Sequence, residues 1–202
     1  MKNSLRTAAF ATALAASAIP AAIAQPAAPD VKSGTFKLDP SHTQIVFAVS
    51  HFGFTNYRGV FSGASGALQL DVGHPSGSKL DVSLPVDSLF TTVQRLTDQL
   101  KSPQWFDAAH FPTAQFTSTK VEQVGKDAAV VTGNFTLHGI TKSVKLNVRF
   151  VGAGVNPLNK AYTVGFEATG TIKRSEFGIA TFIPMVSDEV NLTVSGAFEQ
   201  QG

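Results

Sequence analysis

Histidine has the widest chemical range of the side chains here, able to ligate a metal or to move a proton near neutral pH. The chain holds five, His42, His51, His74, His110 and His138, and they show no metal-ligand spacing. There is no cysteine, which excludes thiol nucleophiles and zinc–thiolate sites outright. His51, Asp87 and Ser88 are the residue types of a hydrolytic triad. No nucleophile elbow surrounds Ser88, however, and loose Ser/His/Asp sets occur in any chain of this size. Arg58, Arg95 and Arg174 are candidate partners for a phosphate or carboxylate at a rim, or else plain solvated charges and ion-pair members. Gly63 and Gly66 are too sparse for a phosphate-cradling loop. No catalytic residue, metal or cofactor is therefore assigned. What remains is apolar surface and the elements that position it.

Those elements are strands. Between Gly133 and Phe150, Phe135 and Leu137 alternate with Asn134, Thr136 and His138. Then Val144, Leu146, Val148 and Phe150 alternate with Ser143, Lys145, Asn147 and Arg149. Each run has one apolar and one wet face, the period-2 mark of an antiparallel sheet covered on one side, and Gly139 supplies the turn between them. The pattern recurs over 36–54, with a break at Asp39-Pro40, and over 60–72, 79–87, 114–121, 162–172 and 190–195. On the first of these, Thr43, Ile45, Phe47, Val49 and His51 share a face. The other face, with Val46, Ala48 and Phe52, is less polar than an ordinary solvent face and reads either as a homodimer surface or as scattered surface apolars. Residues 88–102 break the period. Leu89, Val93, Leu96 and Leu100 fall at helical spacing and Pro103 follows, which predicts one short amphipathic helix between the third and fourth strands. With Trp105, Phe106 and Phe111 behind it, the helix reads either as a plug or lid on one end, or as a packed corner.

Residues 1–24 carry the marks of an export signal. Lys2 and Arg6 precede a small apolar stretch too short to span a bilayer, and Ala22-Ile23-Ala24 is an A-x-A cleavage site. Cleavage after Ala24 predicts a periplasmic protein without a stable membrane anchor. Residues 25–33 read as a flexible lead-in and 34–202 as the single domain. The signal holds two of the 16 basic residues and none of the 14 acidic ones, so the remainder balances at zero net charge. That removes the bulk electrostatic case for nucleic acid or an anionic membrane surface. Sixteen Phe against one Trp and two Tyr suit a large dry interior, since Phe brings area without a hydrogen-bonding group.

The count is eight strands and one helix, an all-β chain whose linear order favours an up-and-down closed sheet, with Greek-key wiring as the alternative. A barrel of about eight strands is either just filled by its own side chains or just wide enough for one elongated ligand. Long apolar faces, with small inward residues such as Ala114, Ser118, Gly133, Ala168 and Gly170, favour the ligand; a packed core is the alternative.

Four segments together carry a resemblance: DPSHTQIVFAVSHFGF with YRGVFSGASGAL (39–54, 57–68), LKSPQWFDAAHFPTAQFTSTKVE (100–122), GNFTLHGITKSVKL (133–146) and RSEFGIATFIPMVSDEV (174–190). In this order they are similar to the YceI-like family of exported, polyisoprenoid-binding, lipocalin-like proteins, over roughly 35–199. The resemblance implies an extended eight-stranded antiparallel barrel holding a long-chain isoprenoid or similar amphiphile, often in a dimer. One departure stands out. Where the family often has Leu-Asp-x-His-Leu, this chain has Thr97 and Gln99 in place of the Asp and His, and Trp105 replaces the first Phe of the following Ser-Pro-x-Phe-Phe. If those polar groups hold a headgroup, this protein takes a different one or none.

The expected ligand-binding residues follow the inward faces. They are Ile45, Phe47, Val49 and His51 on the first strand, then Phe54 and Phe61, then Leu84 and Val86. Leu96, Leu100, Trp105 and Phe106 come from the helix and its sequel. Phe116, Phe135, Leu137, Leu146 and Val148 come from the central strands, and Phe166, Phe177 and Leu192 from the last part of the chain. His51 is expected to point inward and meet a ligand's polar end, or to be a core histidine satisfied by backbone. Three functions are carried forward. They are a non-enzymatic carrier of a polyisoprenoid, isoprenoid quinone or fatty-acid-like amphiphile, an exported hydrolase using His51, and a filled structural barrel.

Overall fold

The computed structural model describes residues 31–201. The expected export signal and most of the lead-in lie outside the described residues. Ten strands follow one another: β1 (Gly34–Leu38), β2 (Gln44–His51), β3 (Thr55–Phe61), β4 (Ser65–Leu70), β5 (Lys79–Pro85), β6 (Thr113–Gln123), β7 (Ala128–Leu137), β8 (Ile140–Val155), β9 (Tyr162–Lys173) and β10 (Glu189–Gln200). One helix, α1 (Gln94–Lys101), lies between β5 and β6.

All pairings are antiparallel, and the sheet closes on itself. One edge of β10 pairs with β9. The other edge meets β2, from Asn191↔Ala48 to Ser195↔Gln44, and then β1, from Phe198↔Leu38 to Gln200↔Phe36. β1 and β2 are thus two lengths of one wall. β3 and β4 form the next wall, β3 on β2 and β4 on β1. Ten segments occupy eight positions around a closed antiparallel barrel, as the alternation predicts.

The break in the first wall is the one expected at Asp39-Pro40. Asp39 caps a 3-10 turn at Pro40–His42, its Oδ1 accepting from the Ser41 amide at 2.8 Å while Oδ2 pairs with His42 Nδ1. The β7–β8 turn is built on two left-handed residues, His138 (φ 51°) and Gly139 (φ 73°), the geometry a two-residue hairpin needs. A side chain at Gly139 would also run into Phe111, whose ring is 2.6 Å from a Cβ placed there.

Two expectations are corrected. The helix is shorter than the 88–102 spacing suggests. Val86–Ser88 form a 3-10 turn, Val93 is extended and 51% exposed, and only Gln94–Lys101 are α-helical. Thr91 diverts the chain: its amide donates to Thr97 Oγ1 at 3.0 Å and its hydroxyl to the Val93 carbonyl at 2.9 Å. Arg174 is not a rim cation. It is buried, and burial lowers its pKa from the usual arginine value. Its Nε donates to Ser187 O at 2.9 Å, Nη1 to Ile179 O at 2.9 Å and Nη2 to Val186 O at 2.8 Å. One guanidinium therefore ties the long 174–188 connection together. Arg58 and Arg95 are exposed, on β3 and α1.

Arg174→Met would leave three carbonyls without that donor, and unsatisfied buried polar groups cost about 1–3 kcal/mol each. The expected loss in a urea melt is about 2–4 kcal/mol; an unchanged midpoint would show that the connection is held otherwise.

The Asp39–His42 pair should leave a pH signature. Its hydrogen bond to Asp39 raises the His42 pKa. Burial works against the Asp39 carboxylate, but bonds from His42 and the Ser41 amide outweigh it and hold its pKa below the usual value. The stabilising effect of the histidine is full below its unfolded pKa, about 6.5, and is lost as pH rises through the raised value. That of the aspartate is lost as pH falls through its lowered value. The melting-temperature advantage of the native chain over His42→Gln should peak between these limits; a difference independent of pH would exclude the pair from holding this break.

Candidate functional site

The barrel interior divides along its axis. One end is packed. Phe47, on β2, faces Gly59 on β3, where a Cβ would sit 2.4 Å from its ring. The ring therefore lies flat over the neighbouring strand, which has room for it only because residue 59 is glycine. Phe61 and Phe106 stack against it with centroids 5.8 and 6.3 Å away, and against each other at 5.5 Å. Val86, Leu89, Leu100 and Leu137 are buried in the same cluster. Trp105 lies between the Arg174 guanidinium, 5.5 Å from its ring, and Phe182, 6.2 Å away. The segment from Val86 to Phe106 and the 174–188 connection thus plug this end, one of the two readings the sequence allows.

The rest of the barrel encloses a cavity of about 660 Å³. Its wall comes from inward residues of β4 to β10 and the junction of β1 with β2. Eight of the expected residues face it: Ile45, Leu84, Phe116 and Phe135 at the deeper levels or on the side wall, and Leu146, Val148, Phe166 and Leu192 along β8, β9 and β10. The small residues Ala114 and Ala168 also line it. The mouth lies between the loops 71–79 and 123–128, where Asp71, Lys79, Lys126 and Asp127 stand beside Val72 and Gln123. Phe36, Val164 and Phe198 fill the β1–β9–β10 side of that end. Val31 reaches the cavity from the chain preceding β1, and Ser33 Oγ accepts from the Val72 amide at 2.9 Å. Lys32 lies over Tyr162, 4.7 Å from its ring centre.

The other twelve expected residues lie elsewhere. Phe47, Phe61, Val86, Leu100, Leu137 and Phe177 are buried in the plug, as is Trp105; Val49, Leu96 and Phe106 pack partly buried against it. His51 and Phe54 do not face the interior at all. β2 ends at His51, which is exposed and meets Phe52 edge to face at 4.4 Å, and Phe54 in the following turn is 88% exposed. The chain leaves the barrel there, so the alternation that points Phe47 inward no longer governs them.

The polar candidates have separate partners. Asp87 pairs with Lys101 at 3.2 Å, while Ser88 Oγ donates to Pro85 O at 2.6 Å and accepts from the Ser62 amide at 3.2 Å. Neither is among the partners of His51. Thr97 is buried in a hydroxyl pair with Thr91 at 2.9 Å and Gln99 is exposed; both belong to the plugged end and neither lines the cavity. No group of three metal-ligating side chains occurs among the described residues.

The polar rim at Lys79, Lys126, Asp71 and Asp127 lies at strand ends and in the 124–127 turn, where residue type alone says only that the chain is solvated. Leu68, Leu80, Val82, Val131 and Val144 also face the cavity. Their period-2 placement marks them as inward just as well as the residues chosen.

Comparison with known proteins agrees with this architecture. Residues 36–198 match the model of the YceI-like domain. A UPF0312 protein of Pectobacterium carotovorum is 36% identical over 160 residues, 79% of this chain and 82% of its own. BcnA of Burkholderia cenocepacia superposes with a TM-score of 0.72 at 23% identity, covering 79% of this chain and 98% of BcnA. A polyisoprenoid-binding domain of Saccharophagus degradans superposes at 0.62 with 16% identity, covering 84% and 100%, a likeness of fold. With the matched region running from β1 to β10, this chain belongs to the YceI-like family.

Proposed function

We propose that this protein binds one long-chain lipophilic molecule inside its barrel and carries, stores or sequesters it in the periplasm without transforming it. The ligand class is a polyisoprenoid, an isoprenoid quinone or a fatty-acid-like amphiphile. The observation that carries this is the cavity of about 660 Å³ lined mainly by Leu, Val, Phe and Ala, with charged groups gathered only at its mouth. Each methylene moved from water onto such a wall contributes about 0.8 kcal/mol, while Lys79, Lys126, Asp71 and Asp127 offer donors and acceptors to a polar end. The description of the Saccharophagus degradans domain as polyisoprenoid-binding supports the same class.

The hydrolase alternative has less support. His51 is exposed beside the plugged end, and Asp87 and Ser88 are engaged with other partners. A fully filled barrel fits only the plugged half.

Native mass spectrometry of purified protein, followed by organic extraction, tests the carrier reading. A bound prenyl, quinone or acyl species is expected; turnover of ester probes that disappears in His51→Ala would favour the hydrolase instead.

A second test concerns the wall. Phe135→Asp places a carboxylate against the chain-binding surface, where an unpaired charge is costly. Displacement of a naphthylamine dye by a long-chain alcohol should weaken at least about tenfold, whereas Asn147→Asp, on the outer face of β8, should bind within about twofold of the native protein. Native-like affinity in folded Phe135→Asp would place the ligand outside this cavity.

A further inference from the structure

The cavity is blind, and the depth of its floor is fixed by named residues. Along β8 the inward side chains pass from buried Val144 to half-buried Leu146, Val148 and Phe150; along β10 they pass from buried Val190 to half-buried Leu192 and Val194. On β7, Leu137 is buried and Phe135, nearer the mouth, is half-buried. On β8 the open space therefore begins past Val144; it enters from the 71–79 and 123–128 side, where Val131 on β7 and Phe198 on β10 are again buried in the wall, and ends before the plug. At that level Ile45 is backed by Phe61, its partner across β2 and β3. Phe135 is backed by Phe177, with ring centroids 5.4 Å apart and Phe177 fully buried. None of Phe47, Phe61, Phe106 and Phe177 lines the cavity.

Resting on the lipid-binding reading above, we propose that this aromatic floor is a chain-length gauge that limits the buried part of the ligand to about twenty carbons. A methylene fills about the volume of a liquid water, roughly 30 Å³, and the cavity holds about 660 Å³. The buried segment is therefore one ordinary fatty chain or about four isoprene units. The charged groups stand only at the mouth, so the tail enters first and its tip stops against Ile45, Leu84 and Phe135. A longer chain leaves its surplus at the mouth in water. Hydrophobic gain follows the area removed from water, so that surplus adds no affinity. The ligand class that uses this cavity fully is a mid-length amphiphile, not a long polyprenyl chain.

The test uses linear and prenyl alcohols of about ten to about forty carbons, their affinities read by displacement of a naphthylamine dye from the folded chain. Each added methylene should strengthen binding by up to about fourfold until about twenty carbons, after which affinity levels off. Wall substitutions should move that plateau in opposite directions. Ala168→Leu adds three carbons to the wall and should shorten it by about three carbons, and Leu84→Ala should lengthen it by about three. Thermal melts establish that each variant is folded; if Leu84→Ala does not fold, the Ala168→Leu shift decides alone. Affinity that still climbs beyond about thirty carbons, or a plateau that stays put in folded variants, overturns the gauge and leaves lipid binding standing. Failure of every alcohol, whatever its length, to displace the dye overturns the lipid-binding reading itself, and the gauge with it.

Discussion

Closure of the sheet is the constraint from which the rest follows. Each strand has one apolar face, and an antiparallel sheet with such a face must either pack on a second layer or curl around it. Here the last strand meets the first wall along nearly all its length, first through β2 and then through β1. The Asp39–His42 break permits this, because it lets one wall change direction without losing its partner. A closed ring also leaves few unpaired strand edges to aggregate, which matters for a chain with this many Val, Ile and Phe strand residues.

With about eight positions around the ring, the interior is close to the size at which side chains alone can fill it. What decides between filled and hollow is where the largest side chains sit along the axis. Phe47, Phe61, Phe106, Trp105 and Phe177 pack together at one end, and Gly59 lets the Phe47 ring lie over the adjacent strand β3. The other half carries rings too, Phe116, Phe135, Phe150, Phe166 and Phe198, but sets small residues such as Ala114 and Ala168 among them, which leaves room between the walls. Close-packed interiors are the rule, so a hollow half requires that stability come from elsewhere. There is no disulfide to supply it. The aromatic plug and the buried Arg174 clamp supply local rigidity instead.

Much of this was legible in the residue order. Alternation over 133–150 and its repeats identified strand directions, inward faces and the turn at Gly139. The small inward residues Ala114 and Ala168 marked a wall with room beside it. Depth was not legible. Alternation has a period of two and carries no information about position along the barrel axis, so Phe47 and Leu146 looked equivalent although one belongs to the plug and the other to the cavity. The same blindness placed His51 and Phe54 inside, because nothing in the pattern marks where β2 leaves the wall. Arg174 was misread for a different reason. An arginine beside an apolar run suggests a rim, and only the folded 174–188 connection brings three carbonyls around its guanidinium. The helix was overextended because Leu89 and Val93 fit its spacing, while the local Thr91–Thr97 hydroxyl pair that sets its start is a polar contact that apolar spacing does not report.

The division of the barrel also bears on how rigid its two ends are. Local opening is resisted where buried apolar contacts are dense and is easy where they are sparse. The plugged end combines stacked rings, a buried guanidinium and a connection tied back on itself. The mouth is made of two turns carrying exposed Val72 and Val124 and charged residues. Only the turn side of the mouth is sparsely packed, since Phe36, Val164 and Phe198 are buried on its β1–β9–β10 side, and the plugged end is packed throughout. Departures from the family pattern at Thr97, Gln99 and Trp105 all fall in the stiff end. Thr97 and Trp105 are buried and bear on how the plug packs, whereas Gln99 is exposed on α1, and none of the three lines the cavity.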